Sequence, residues 1–309
     1  MNKVLVFMST YNAEEFIETQ IDSILAQEKV DVYLSIRDDG SKDATPKILK
    51  RYKMNHPNKI QLFLDDNVGV KGAGFQNIIK ADKEGFDFYA LADHDDYWMK
   101  DKLYRGVKAI EKYKKSEKPA LYFSNLSVTD KDLNFRFYAY RKGDVSGNYY
   151  TCLPEFYASA NTYVFNKSCL DMAIKARPKK TFYGDVWLYV LCAFLGFVYY
   201  DDKSRILFRR TGNNASGDRE RGIKLWKMRL LKIKDIVSNE TPMRHDMAEE
   251  LLRKYYKQLD KEKIRVLKKI VYYPRSLKDK MSLIFDKKIR TQKLSRNICM
   301  WGRILINRF

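Results

Sequence analysis

Over the first ninety residues, short apolar runs alternate with stretches whose apolar positions recur every three or four residues. KVLVFM (3–8) reads as a strand, and Phe16, Ile17, Ile21, Ile24 and Leu25 then fall at helical spacing over 13–26. DVYLSIRD (31–38), IQLFL (60–64) and FDFYALAD (86–93) repeat the strand pattern, with helices expected over 47–54 and 72–82. Strands alternating with amphipathic helices predict a mostly parallel central sheet flanked by helices. Beyond residue 120 the pattern is mixed. ALYFSNLSV (120–128) and NTYVFN (161–166) read as strands, DVWLYVLCAFLG (185–196) as a buried helix, and GFVYYD and RILFRR as two closing strands. TGNNASGDRERG (211–222) reads as a loop, which puts the division between a first domain, 1–217, and a second region, 218–309.

In a parallel sheet, ligands gather at the carboxyl ends of the strands. STYN (9–12), DDGS (38–41), DNVG (66–69) and DHDD (93–96) each follow one of the four first-half strands, so four polar clusters land on one rim. Taken singly, each reads equally well as ordinary turn chemistry. The last is the most demanding: Asp93, Asp95 and Asp96 are like charges within four positions. A hard divalent cation, Mn²⁺ or Mg²⁺, tolerates such crowding because it takes oxygen ligands from one or two carboxylates and a substrate phosphate. Asp93 and Asp95 are the alternate pair able to aim at one ion. The competing reading is an acidic start to a helix running from DYWMKDKL, where negative charge suits the helix dipole. Lys71 and the glycines at 72 and 74 follow the third cluster, and there a lysine is placed to meet a diphosphate.

Composition narrows the class. The chain has 309 residues, 45% of them hydrophobic, enough to bury a sizeable core. Cys152, Cys169, Cys192 and Cys299 show no CxxC pair or zinc spacing, which predicts free thiols. The N-terminal apolar run is too short for a signal peptide, and LYVLCAFLGFVYY (188–200) falls short of the roughly 20 residues a spanning helix needs. A cytoplasmic protein, peripheral at the inner face of the cell membrane, is therefore expected.

Charge is distributed unevenly. Residues 219–309 carry 26 Lys and Arg against 10 Asp and Glu, out of a net +20 for the whole chain. Within 241–273, Leu251, Leu252, Tyr255, Tyr256, Leu259, Leu267, Ile270 and Val271 form an apolar face opposite a basic one, and 276–286 and 296–309 repeat the style. Basic amphipathic helices with aromatic residues commonly lie on anionic membranes. The other reading is a layer packed on the first domain or a homo-oligomer contact. Nucleic acid is not an expected partner, because no recognition motif is present and the basic residues do not surround the acidic rim.

Thr10-Tyr11-Asn12, Asp38-Asp39-Gly40-Ser41 with Asp43 and Thr45, Asn67 and Gly69, and Asp93-x-Asp95-Asp96-x-Trp98 come in order. Together they resemble the family-2 glycosyltransferases of the GT-A nucleotide-diphospho-sugar transferase fold. YGDVWLY and the segment 196–217 are similar to the bacterial rhamnosyltransferase branch. The resemblance covers about residues 1–217. It implies that Thr10, Tyr11, Asn12 and Asp39 hold a pyrimidine base, with Asp93 also on the nucleotide side, and that Asp185 is the base that deprotonates the acceptor. An aspartate in that place also reads as a helix cap. Asp96, Trp98, Trp187 and Arg210 are carried as sugar- or acceptor-side positions, Trp187 reading equally as core.

The implied activity is inverting transfer of rhamnose from dTDP-rhamnose, or of a hexose from a UDP-sugar, onto a lipid-linked glycan acceptor in cell-surface polysaccharide synthesis. A sugar nucleotidyltransferase would want a Gly-rich basic loop after the first strand, and STYNAEEF is not one. A basic scaffold using only the tail is the non-enzymatic alternative. Some positions depart from the family pattern: Thr211 stands where many relatives have a histidine, Gly184 precedes Asp185, and His94 separates the aspartates.

Overall fold

In the computed structural model, residues 1–65, 70–145, 149–153, 156–176, 184–211, 243–291 and 293–309 are described. The first half runs β1 (Lys3–Thr10), α1 (Ile17–Leu25), β2 (Asp31–Asp39), α2 (Thr45–Asn55), β3 (Ile60–Asp65), α3 (Val70–Lys80) and β4 (Phe88–Ala92). Val4–Met8 is buried on both faces of β1, which explains why this strand is continuously apolar rather than alternating. β5 (Tyr97–Trp98), α4 (Lys102–Ile110), β6 (Ala120–Ser124), β7 (Ser127–Thr129), β8 (Phe135–Tyr138), β9 (Val164–Asn166), α5 (Lys167–Lys175), α6 (Gly184–Leu195), β10 (Phe197–Asp201) and β11 (Ile206–Arg209) follow.

The main sheet has seven strands in the order β10-β6-β9-β4-β1-β2-β3. All its pairings are parallel except those of β9, which lies antiparallel between β4 and β6. The second closing strand expected for this sheet joins a separate four-stranded sheet instead, β5-β11-β7-β8. Parallel register aligns the strand ends. Thr10 pairs with Asp38, Asp39 with Asp65, and Met8 with Ala92, so the polar residues after β1, β2 and β4 share one edge.

α4 crosses β6 and β9 at Gly106. A Cβ there would lie 2.5 Å from Val164 Cγ2 and 2.8 Å from Val164 Cβ. Valine is stiff at χ1 and Val164 is fully buried, so the strand itself would have to move. Gly106→Ala is expected to destabilise by about 1–3 kcal/mol, the usual overpacking cost. A denaturant midpoint equal to wild type would show that the helix does not sit this close.

The C-terminal region is α7 (Met243–Tyr255), α8 (Lys261–Tyr272), α9 (Leu277–Ile284) and α10 (Leu294–Leu305). The stretch 241–273 is divided by a 3₁₀ turn at Tyr256–Gln258, and α8 starts after Asp260, whose carboxylate accepts the Lys263 N–H. The membrane-facing assignment of this stretch needs correcting. Leu251, Tyr255, Leu259, Leu267 and Ile270 are buried in one cluster with Leu5, Phe7, Tyr89 and Leu191 of the sheet layer. An apolar face already covered by protein is not available to lipid. The expected division at 217/218 lies outside the described residues, and the described helices beyond it share the core of the sheet.

Cys169 and Cys192 meet in that core as free thiols with their sulfurs 3.3 Å apart. Among the described residues no helix is long and apolar enough to cross a membrane.

Candidate active site

The rim begins where β1 and β2 end. Asp38 is a turn acid: it accepts from Thr10 Oγ1 (2.8 Å), Ser41 Oγ (2.6 Å) and the Ser41 N–H (2.9 Å). Asn12 takes the left-handed conformation (φ 47°) that asparagine tolerates better than most residues. Its N–H donates to Ser41 Oγ, and its side-chain oxygen accepts the Lys42 N–H. The Ala13 N–H donates to Thr45 Oγ1. The 10–14 loop is thereby laced to the 38–45 loop, while Tyr11 is left 45% exposed.

Asp39 is buried, and Arg37 Nη1 donates to it at 2.6 Å. The same guanidinium reaches Asp65 through Nε at 3.0 Å, and Lys80 holds Asp65 at 2.6 Å. This chain of charges ties Asp39 to β3 and α3. Sequence reasoning missed Arg37, although an arginine inside a strand directly before the acid pair was the available signal. It also missed Asn77, buried on α3. Asn77 donates to the backbone oxygens of Met8 and Ser35 and accepts from Ser35 Oγ, pinning α3 onto β1 and β2. Lys71 lies in the first turn of α3, but its side chain, like Asn67 and Gly69, is outside the described residues.

β4 delivers the acidic triplet. Asp93 keeps solvent-accessible surface, yet the protein around it pushes its carboxyl above the ordinary range, first by desolvation, then by the charges of Asp95 and Asp185. His94 Nδ1 lies 3.3 Å from the Ser9 carbonyl oxygen, as a spacer bonded back to β1.

Asp96 is turned inward. It is fully buried, accepts Asn161 Nδ2 at 2.6 Å and the Arg209 N–H at 3.2 Å, and so fastens the triplet to β11. Burial, then the neighbouring Asp93 and Asp95, raises its carboxyl. Trp98 is fully buried too, with the Lys102 ammonium 3.4 Å from its ring centre. Burial drives the Lys102 amine well below its usual range.

Asp185 stands in the first turn of α6. Burial raises its carboxyl, an effect its own and the Val186 backbone N–H groups partly offset. Trp187 is fully buried and donates to the Ala176 carbonyl at 2.6 Å. The Arg210 N–H donates to the Thr129 carbonyl, and its guanidinium sits 5.7 Å from the Phe208 ring centre.

Thr10, Asp39 and Asp93 thus lie along the rim, and the charges of Asp95 and Asp185 add to the burial that raises the Asp93 carboxyl. Asp96, Trp98 and Trp187, expected as sugar- or acceptor-side contacts, are corrected to supports beneath the rim. Their side chains have no solvent-accessible surface; Thr10 and Asp39 are nearly as buried, so Tyr11 and Asn12 are the exposed members of the base-side group.

The donor set fits a hard cation: Asp93 and Asp95 supply only oxygens, and the charge of Asp95 helps hold the Asp93 carboxyl above its ordinary range. The tightest acid and histidine trio among the described residues is a different one, His245, Asp246 and Glu249 at the start of α7. There His245 Nε2 is held by the Val271 carbonyl at 3.1 Å, while Nδ1, 3.5 Å from Asp246, makes no hydrogen bond. Two carboxylates at the rim, completed by a diphosphate, remain the more suitable set.

Residues 5–170 match the family model described as glycosyl transferase family 2. The dTDP-rhamnosyl transferase RfbG of Shigella flexneri is 29% identical over 223 residues, 68% of this chain and 73% of RfbG. The minor teichoic acid biosynthesis protein GgaA of Bacillus subtilis is 30% identical over 104 residues, 32% of this chain and 22% of GgaA. The crystal structure of S. aureus TarS 1-349 in complex with UDP-GlcNAc superposes with a TM-score of 0.54 at 17% identity, covering 99% of this chain and 82% of that one. The mostly parallel sheet, its flanking helices and this likeness are those of the GT-A fold.

Proposed function

Because the chain belongs to glycosyl transferase family 2, we propose that it transfers a sugar, with inversion, from a pyrimidine diphosphosugar to a hydroxyl of a lipid-linked glycan acceptor in bacterial surface-polysaccharide synthesis. The donor of first choice is dTDP-rhamnose, after the name of RfbG, with UDP-hexoses next, after the nucleotide sugar bound by TarS. The surface-polysaccharide setting follows the name of GgaA.

One observation carries the reading: parallel register brings the ends of β1, β2 and β4, with Thr10, Asp39 and the Asp93 that follows β4, to one edge of the sheet. Asp185 is assigned as the base and Asp93 as the phosphate-side acid. Asp39, Thr10, Tyr11 and Asn12 hold the base and Lys71 meets the diphosphate. Asp185 takes the acceptor proton as the acceptor oxygen bonds to the anomeric carbon and the bond from that carbon to the diphosphate oxygen breaks. Burial of Asp185 helps, because a raised pKa makes its carboxylate a stronger base. Asp95 and Asp93 would hold Mn²⁺ or Mg²⁺, which supplies positive charge against the departing diphosphate. Arg210 is assigned to the acceptor side.

A thermal-shift panel of pyrimidine diphosphosugars with and without Mn²⁺ tests this. One donor at about 100 times its Kd is expected to add about 2.7 kcal/mol of stability. That gain should require the metal. A flat panel under both conditions would rule the reading out.

A further inference from the structure

The apolar faces of α7 and α8 are spent on the core, but α9 and α10 each carry a second one. Leu277, Met281 and Phe285 recur every four residues along α9 and its C-cap. Leu294, Ile298 and Leu305 lie along one side of α10 at four- and seven-residue spacing, with half-buried Trp301 between the last two. These six exposed apolar side chains range from 36% to 68% exposure. Leu283 and Ile284, and Met300 and Ile304, already anchor the two helices inward, so packing needs no second stripe. Contiguous apolar surface left in water marks a binding face.

Charge says what covers it. Residues 273–309 hold ten Lys and Arg against two Asp. Both acids are engaged within the fold: Asp286 by Lys269 at 2.7 Å, and Asp279 by Ser276 Oγ at 2.7 Å. The Lys280 ammonium bonds the Leu305 carbonyl, joining α9 to the end of α10. A second copy of the chain is a poor partner, since a two-fold contact would set this cationic patch against itself.

We propose that the outward stripes of α9 and α10 dock on an anionic bilayer surface, with the apolar side chains entering the headgroup region and the flanking cations meeting lipid phosphates. This rests on the reading of the chain as a transferase for a lipid-carried acceptor, and it confines the membrane face expected over 241–309 to α9 and α10.

Flotation of the full chain tests it, using vesicles of phosphatidylglycerol in phosphatidylcholine at roughly 3:7 against pure phosphatidylcholine. The wild type is expected to float with the anionic vesicles alone. Phe285→Ser/Leu294→Ser/Ile298→Ser should lower the bound fraction about tenfold or more. Lys278→Glu/Lys287→Glu should also reduce it, while Lys47→Glu/Lys50→Glu on α2, an equal loss of charge elsewhere, should change it less than about threefold. Three results would overturn the proposal: no flotation of the wild type, equal flotation with neutral vesicles, or triple and Lys278/Lys287 variants that both float like wild type. A wild-type dimer that the triple variant loses, with neither floating, would assign the stripes to a second copy and overturn it as well. Hydrolysis of the donor in solution is read separately. Hydrolysis retained by the triple variant leaves the transferase reading standing whatever the vesicles show, and flotation without any donor turnover would remove the transferase reading alone.

Discussion

Asp185→Asn is expected to bind donor and metal almost as the wild type does and to turn over about 10²–10⁴-fold more slowly, the range a positioned general base contributes. Asparagine keeps the size of the side chain and its ability to accept backbone N–H groups at the start of α6, but it cannot take a proton. The structural cost is limited to one charge at a helix N-terminus, about 0.3–1 kcal/mol. Nucleotide titration, melting temperature and product formation at saturating donor together separate the roles. Full turnover in this variant would remove Asp185 from the chemistry and leave it a helix-start acid. A collapse of folding and binding together would assign it to structure.

Arg37→Met is expected to cost about 3–5 kcal/mol of stability, because removing one member of a buried ion pair leaves the other's charge less compensated in a medium that solvates it poorly. Arg37 is almost wholly buried, and its guanidinium spans Asp39 at 2.6 Å and Asp65 at 3.0 Å from adjacent strands. Asp65 keeps Lys80, but Asp39 loses the guanidinium against which it is set. Arg37→Lys should recover only part of the loss, since a single ammonium cannot reproduce the planar fork across two carboxylates. Denaturant midpoints of the three proteins make the measurement. A cost under about 1 kcal/mol would mean the pair is not desolvated as its burial implies. In the fraction that still folds, donor affinity should fall with Asp39 no longer held at the rim.

Some of this was legible in the residues and some was not. β1 and β4 were, because a strand covered on both faces must be apolar throughout, and Val4–Met8 or Phe88–Ala92 cannot be mistaken for a polar loop; β2 and β3 were legible from their shorter apolar runs. The rim was legible for a topological reason: in parallel strands joined by helices, the residues after each strand fall on one side. The placement of β9 was hidden. Its three residues enter antiparallel between β4 and β6, and nothing in Val164–Asn166 names its neighbours.

Asp96 shows the same boundary at the scale of one side chain. Its sequence neighbours suggest a ligand-facing acid, whereas Arg209, 113 residues later, supplies the N–H that holds it inward. The amphipathic tail divides likewise. Helical periodicity reports that an apolar face exists but carries no information on what covers it. Leu251 and Ile270 went to the core, while Leu277 and Leu294 were left outside.

By itself, then, the order of residues determined the secondary elements, the edge on which acids collect, the chemical kind of ligand those acids suit, and the basic character of the last ninety residues. All of these follow from local periodicity and charge. The tertiary structure alone decided which carboxylates stay at the cleft and which become buttresses, that Arg37 clamps Asp39, and which amphipathic faces remain open. Those depend on contacts between segments distant in the chain, where burial sets the worth of every charge.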